Sequence, residues 1–129
     1  MRRPYIAESV IQPGTAVVQG TADNQVKSGG SAGNFIGVYP FEANEAKAAG
    51  DRVGIALTGV EKVRAGATVT AGRKAVMDED GFLVNAPAAP GQYVTCGTFL
   101  ESGDVDEYID MIVERGSFTI PAPPAQGGN

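Results

Sequence analysis

Apolar and polar residues alternate in short runs along most of the chain, and turn residues close each run. Val53, Ile55 and Leu57 alternate with Arg52, Gly54 and Ala56, which is the period of two expected of a half-buried strand. Gly59 shifts the phase before Val60 and Val63 resume it, so a bulge or sheet corner is expected at Gly59. Strands are also predicted over 15–19, 24–27, 34–39, 67–70, 74–77, 82–84, 93–100 and 105–113. Ala71 and Gly72 mark a tight turn, and residues 78–81 mark a hairpin, because Asp-Gly accepts positive φ. Residues 28–33 read as a flexible loop, and 86–91 as a rigid surface loop. The run 105–113 is apolar at both odd and even positions, which predicts burial on two faces or a place in an interface. The one helix candidate is 42–49, built of strong helix formers with Gly50 at its C′ position. At about two turns it holds only by packing on something else.

About eight to ten short strands, with turns roughly every 8–12 residues, predict an all-β chain. The expected fold is a small antiparallel β-barrel or a jelly-roll-like sandwich, with one short helix and extended termini. The expected organisation is an N-terminal arm over 1–12, a β-rich domain over 13–118, and a flexible tail over 119–129. The tail is too rich in proline and glycine to build a core. The sequence also echoes itself. Gly14, Val17 and Gly20 align with Gly66, Val69 and Gly72, and 34–57 resembles 94–111. A true echo would place two equivalent β-motifs face to face.

Composition narrows the function more than the fold. The 129 residues include 18 glycines and 8 prolines but no histidine and no tryptophan. Without histidine there is no Ser-His-Asp or Cys-His catalysis, no imidazole-bound zinc and no histidine pH switch. The net charge of -5 gives no electrostatic help toward phosphate backbones, so nucleic acid is not an expected partner. No apolar run approaches the length of a membrane span, and none at the N-terminus resembles a signal peptide. The expectation is a soluble protein of the cytosol. Cys96 is the single cysteine, which precludes an intramolecular disulfide and suits a reducing compartment. It sits among strand residues with no cationic neighbour in sequence, so it reads as a small buried hydrophobe.

The remaining chemistry is sparse. Asp78, Glu79 and Asp80 lack the spacing of a calcium loop and read as a solvated hairpin tip. Residues 101–114 hold six acidic side chains and no basic one. Asp104, Asp106 and Asp110 are conceivable as an acid/base pair or cation site, but a charged edge strand is the plainer reading. No phosphate-binding glycine motif is present. Lys74 lies near a hairpin, as carrier lysines do, without their flanking pattern. Catalytic residues, cofactors, metals and small-molecule substrates are therefore not expected.

One resemblance adds to this. The carrying residues are Ile36, Gly37 and Val38; the Ala48, Ala49, Gly50, Asp51 run; then Val53, Ile55, Ala56, Leu57, Gly59, Val60, Lys62 and Val63. Ala65, Gly66, Val69, Ala71 and Gly72 follow, then Gly97, Leu100, Glu101, Gly103 and Asp104. This pattern, over about residues 10–118, resembles the decoration, or cement, proteins of tailed-bacteriophage capsids. The connection before Gly103 is shorter than the family pattern, and the proline-rich tail departs from it. The resemblance implies a non-enzymatic protein on the exterior of a mature icosahedral head, synthesised in the host cytoplasm. It would clamp neighbouring major capsid protein subunits as a homo-dimer or homo-trimer. The alternatives are another virion part, such as a head fibre base or tail component, or less readily a small β-barrel carrier or carboxylate hydrolase. On this reading the capsid contacts fall on Arg2, Arg3 and Tyr5 of the arm, on Phe35 beside the 28–34 loop, and on Phe118 and Ile120 near the tail. Tyr108, Ile109, Met111 and Ile112 are the expected self-association residues.

Overall fold

A computed structural model describes residues 2–41 and 45–122. Among them the chain forms ten strands and one short 3-10 turn, Ala32–Asn34. The first five strands are β1 (Arg2–Ala7), β2 (Ala16–Gln19), β3 (Gln25–Ser28), β4 (Phe35–Val38) and β5 (Arg52–Ala56). They close a barrel in the order β1-β3-β2-β4-β5. The second five are β6 (Gly59–Arg64), β7 (Lys74–Met77), β8 (Leu83–Asn85), β9 (Gly91–Phe99) and β10 (Tyr108–Ile120). They form a second sheet in the order β6-β10-β9-β7-β8. The all-β expectation therefore holds. The strands pair antiparallel except where β1 meets β3, at Ile6–Gln25 and Ala7–Val26.

The two halves follow one plan. Read as β3-β2-β4-β5-β1, the barrel order matches β8-β7-β9-β10-β6 strand for strand. The parallel closure of β1 on β3 returns as a parallel bridge between Ala65 and Leu83. Ile11 and Lys47 exchange two backbone hydrogen bonds, and so do Val69 and Gly103. Ala7 N–H donates to Asp51 O as Ala65 N–H donates to Glu107 O. The side chains of Asp51 and Glu107 then accept from Ala48 N–H and Asp104 N–H, the same cap in each half. Asp106 holds φ +68° because it occupies the turn position that Gly50 fills at +90°. The spacing between equivalents changes from element to element. The single offset that aligned Gly14 with Gly66 is therefore corrected, and Gly14 corresponds to Gly72. In the echo of 34–57 with 94–111, the match of 34–39 with 94–99 and of the alternating strands β5 and β10 stands, while Gly50-Asp51 corresponds to Asp106-Glu107 rather than to Gly103-Asp104.

Gly59, at φ +105°, begins β6 where the chain leaves the barrel for the second sheet, the expected corner. Two other expectations are corrected. Over 67–70 only Val69 pairs, as an isolated bridge, so no strand forms. The helix candidate 42–49 begins at residues 42–44, which lie outside the described residues, and from Glu45 onward the backbone is not helical. Lys47 is held by Ile11 at 2.9 Å in both directions, and Tyr39 Oη donates to Glu45 O at 2.9 Å. Tertiary partners outcompete a helix too short to hold alone. The expected arm is likewise structural, since 2–7 is a barrel strand and Ile11 is fully buried.

The core has two parts. Tyr5, Ala7, Ile11, Val17, Val26, Tyr39, Val53 and Ile55 fill the barrel. The equivalent residues Val63, Ala65, Val69, Ala75, Leu83, Phe99, Ile109 and Met111 line the second half, but they pack together with Ala16, Val18, Phe35 and Val38 of the barrel strands. Barrel residues thus complete the second core. Backbone bonds seam the joint: Ala16 N–H to Gly81 O, Gly30 N–H to Glu79 O, and Arg64 N–H to Gly14 O. Arg115 reaches across to donate to Phe35 O at 3.1 Å and Gly33 O at 2.9 Å.

Gly29 sits at this seam at φ +72°, where a Cβ would collide with the carbonyl oxygen of Glu79. Gly72 has φ +86° with open space around it. Gly72→Ala should cost about 1 kcal/mol of stability, the left-handed penalty alone. Gly29→Ala should cost about 3 kcal/mol, because overpacking adds to that penalty. Urea denaturation of the two variants measures the difference.

Candidate interaction surface

Four of the ten residues expected at contacts are core. Phe35, Ile109 and Met111 are at most 2% exposed and Tyr5 7%, so none offers a side chain to a partner. On β10 the odd positions Ile109, Met111 and Val113 point inward, and the even positions Tyr108 and Ile112 point out. The double apolar character of this run therefore reports one buried face and one exposed apolar face, rather than burial on both.

Six large hydrophobic residues are exposed among the described residues, and five belong to the second half: Val60, Leu100, Val105, Tyr108 and Ile112. Val60 (57% exposed) lies directly opposite Ile112 (40%) across β6 and β10. Two pairs along, and so next on the same face, Lys62 and Asp110 form an ion pair at 3.0 Å, with Glu101 at 4.0 Å from the same ammonium. Leu100 N–H donates to Asp110 O, which places Leu100 beside that row. Hydrogen bonding to Asp110 raises the pKa of Lys62, so the ammonium persists at any physiological pH. Tyr108 packs against Phe41 with tilted rings whose centroids are 4.3 Å apart. The result is an outer face with an apolar strip, Val60–Ile112, next to a charged row. Sequence reading marked Ile112 but missed Val60 and Leu100, whose cross-strand neighbours become visible only once the register is known.

Arg2 and Arg3 are exposed on β1. Arg2 pairs with Glu61 at 3.3 Å, joining the two halves. Arg3 lies over the Tyr5 ring at 5.1 Å and donates to Asn24 Oδ1 at 3.3 Å. An open groove of about 320 Å³ runs between Arg3, Pro4, Tyr5, Ile6, Asn24 and Arg52. Phe118 and Ile120 are half-buried on the last part of β10. There β10 has left β6 at Val113 and pairs only with β9, Gly116 facing Thr95 and Ile120 facing Gly91. This two-stranded ribbon carries Tyr93 and Phe118 as directly opposed rings, 5.3 Å apart.

The acidic groups expected to be chemically idle are tied up structurally. Asp78 Oδ1 accepts from Asp80 N–H and Phe82 N–H, shaping the hairpin tip. Asp106 pairs with Arg64 at 3.0 Å, and Asp104 accepts from Thr68 Oγ1 at 3.4 Å. No group of three or more metal-ligating side chains exists among the described residues. Lys74 opens β7 directly after the 70–73 turn and donates to Thr98 Oγ1 at 3.2 Å. No helix among the described residues is long and apolar enough to cross a membrane.

Burial pushes the Cys96 thiol up to about 12. An unfolded cysteine ionises near 8.5, so the native thiol stays protonated where the unfolded one has lost its proton. Its stabilising contribution is complete below about pH 8.5 and is lost as pH rises toward 12. At pH 8 a disulfide reagent should therefore leave Cys96 unmodified in the native chain and modify it fully in denaturant. Rapid labelling of the native chain would show the site open.

A family model described as structural cement protein (E217 gp24/Pam3 gp6) matches residues 2–113. The crystal structure of the head fiber gp8.5 N base of bacteriophage phi29 is similar in fold, with a TM-score of 0.63 at 13% identity. That similarity covers 93% of this chain and 98% of the phi29 chain. No curated protein matches the chain.

Proposed function

The chain belongs to the structural cement protein family of phage heads, and from that premise we propose that it is a non-enzymatic decoration protein clamping neighbouring major capsid protein subunits. It binds the exterior of the mature icosahedral head as a homo-dimer or homo-trimer and opposes internal pressure. The family match over most of the chain carries this reading. The paired construction of the two halves supports it and indicates the surface used. In the barrel, the pair equivalent to Val60–Ile112 is Arg2–Ala56. The plan of the fold thus has no need of an exposed apolar pair at this place, and the second half carries one. Such a strip, bordered by Lys62, Asp110 and Glu101, has the apolar centre and polar rim of a protein-binding patch.

The physics of a clamp follows from mass action. A protein that binds only the assembled lattice stabilises it by about 2.7 kcal/mol per site at a hundredfold excess over its dissociation constant. Repetition over a symmetric shell multiplies modest contacts into avidity. A second reading, the base of a head fibre, has in its favour the fold similarity to the phi29 head fiber base.

Purified chain should bind expanded heads lacking it and raise the temperature at which they rupture. Val60→Asp with Ile112→Asp should weaken that binding about a hundredfold, from the loss of two apolar contacts and the burial of charge, with the melting temperature of the free protein unchanged. Absence of binding by the wild-type chain at saturating concentration would overturn the clamp. A slender projection rather than a low density spanning subunits, seen in negative stain, would favour the fibre base.

A further inference from the structure

We propose that the ribbon formed by 91–95 and 116–120 is a self-association element, in which the outer edge of β10 pairs with the same edge of a second copy. The reading deepens the self-association named above but does not rest on capsid binding.

Two observations mark the ribbon as an addition to the fold. The barrel, built on the same plan, has no counterpart: β4 begins at Phe35, the position equivalent to Thr95, and β5 ends at Ala56, equivalent to Ile112. The family match also ends at Val113, the residue where β10 parts from β6. A two-stranded ribbon gains little stability by itself, and beyond Val94, which packs against the core at its base, no hydrophobic residue of this one belongs to either core.

Its edges are not alike. On the β9 side, Tyr93 Oη donates to Ala89 O at 2.8 Å, so the 86–90 loop lies alongside. On the β10 side, no strand pairs with the edge among the described residues. An unpaired edge is a template for another strand, and proteins usually blunt such edges with lysine or other charges. This one carries no charge beyond Arg115. The chain has no Asp, Glu, Lys or Arg between Asp80 and Glu101, or anywhere after Arg115. Every charge on the second half therefore lies off the ribbon.

That absence of charge selects the partner. Two copies of a chain with net charge -5 repel, and in a two-fold contact the same patch of each copy meets the other, so that residues nearest the axis meet their own kind. A charge placed there would face its own like. An uncharged edge of Ser117, Phe118, Thr119 and Ile120 is self-complementary, and antiparallel pairing across a two-fold axis would join both ribbons into one four-stranded sheet. Tyr93 and Phe118 would then continue a ring row into the partner's Phe118.

Sedimentation velocity of the full chain over a range of concentrations tests this. The wild type should dimerise, and Ser117→Lys with Thr119→Lys should raise the dimer dissociation constant at least a hundredfold, with circular dichroism and melting temperature unchanged. Ile112→Lys, on the outer face, should leave the dimer intact. Cysteine placed singly at Ser117, Phe118 and Thr119 gives a second readout, because buried Cys96 is silent. At least one position should form a disulfide-linked dimer on mild oxidation, and cysteine at Ile112 should not. A monomeric wild type, a dimer indifferent to the lysines, or a dimer broken only by Ile112→Lys would each overturn the proposal. Loss of capsid binding with an intact dimer would instead count against the clamp alone.

Discussion

The structure depends on one apolar joint. Ala16, Val18, Phe35 and Val38 project from the barrel into the core of the second half and pack with Phe99, Met111, Ile109 and Leu83. The barrel closes on itself through the parallel pairing of β1 with β3. The second half has only the single Ala65–Leu83 bridge at the corresponding place. Its core is completed by the other half of the same chain. Burying Phe35 alone contributes about 1.5–3 kcal/mol, and the backbone seam around Gly14, Ala16 and Gly30 fixes the relative position of the halves. Without this joint the second sheet would expose its core, and the outer face bearing Val60 and Ile112 would have no rigid support.

Two copies of one plan have diverged in use. The barrel spends its outward residues on the joint, and at the place of the Val60–Ile112 pair it has exposed Arg2 opposite fully buried Ala56. The second half holds its outward residues to solvent and carries nearly all of the exposed large hydrophobic side chains. It also extends β9 and β10 past the sheet. One half thus anchors and the other presents, a division of labour suited to a protein whose work is contact. The absence of histidine fits with this, as does a thiol kept protonated by burial.

Much of the architecture was legible in the sequence because it rests on local rules. The alternation at Val53, Ile55 and Leu57, the Asp-Gly hairpin at 80–81 and the corner at Gly59 all report short-range constraints. What was not legible depended on partners distant in sequence. The helix candidate is built largely of strong helix formers, but Ile11 offers Lys47 two hydrogen bonds that a short helix cannot match. Phe35 and Met111 looked like contact residues because nothing in the sequence says which face of a strand another half will cover. Val60 and Leu100 went unnoticed for the same reason, since their exposure follows from register. The internal echo was visible, but unequal loops between equivalent strands spoiled a fixed offset.

A cryo-EM reconstruction of phage heads carrying this chain tests the central claim most directly. The account predicts density for both halves on the outer surface of the shell, spanning neighbouring capsid subunits, with the Val60–Ile112 face against the capsid protein. Density on the inner surface or on the tail, or that face turned to solvent while another surface makes the contact, would contradict it.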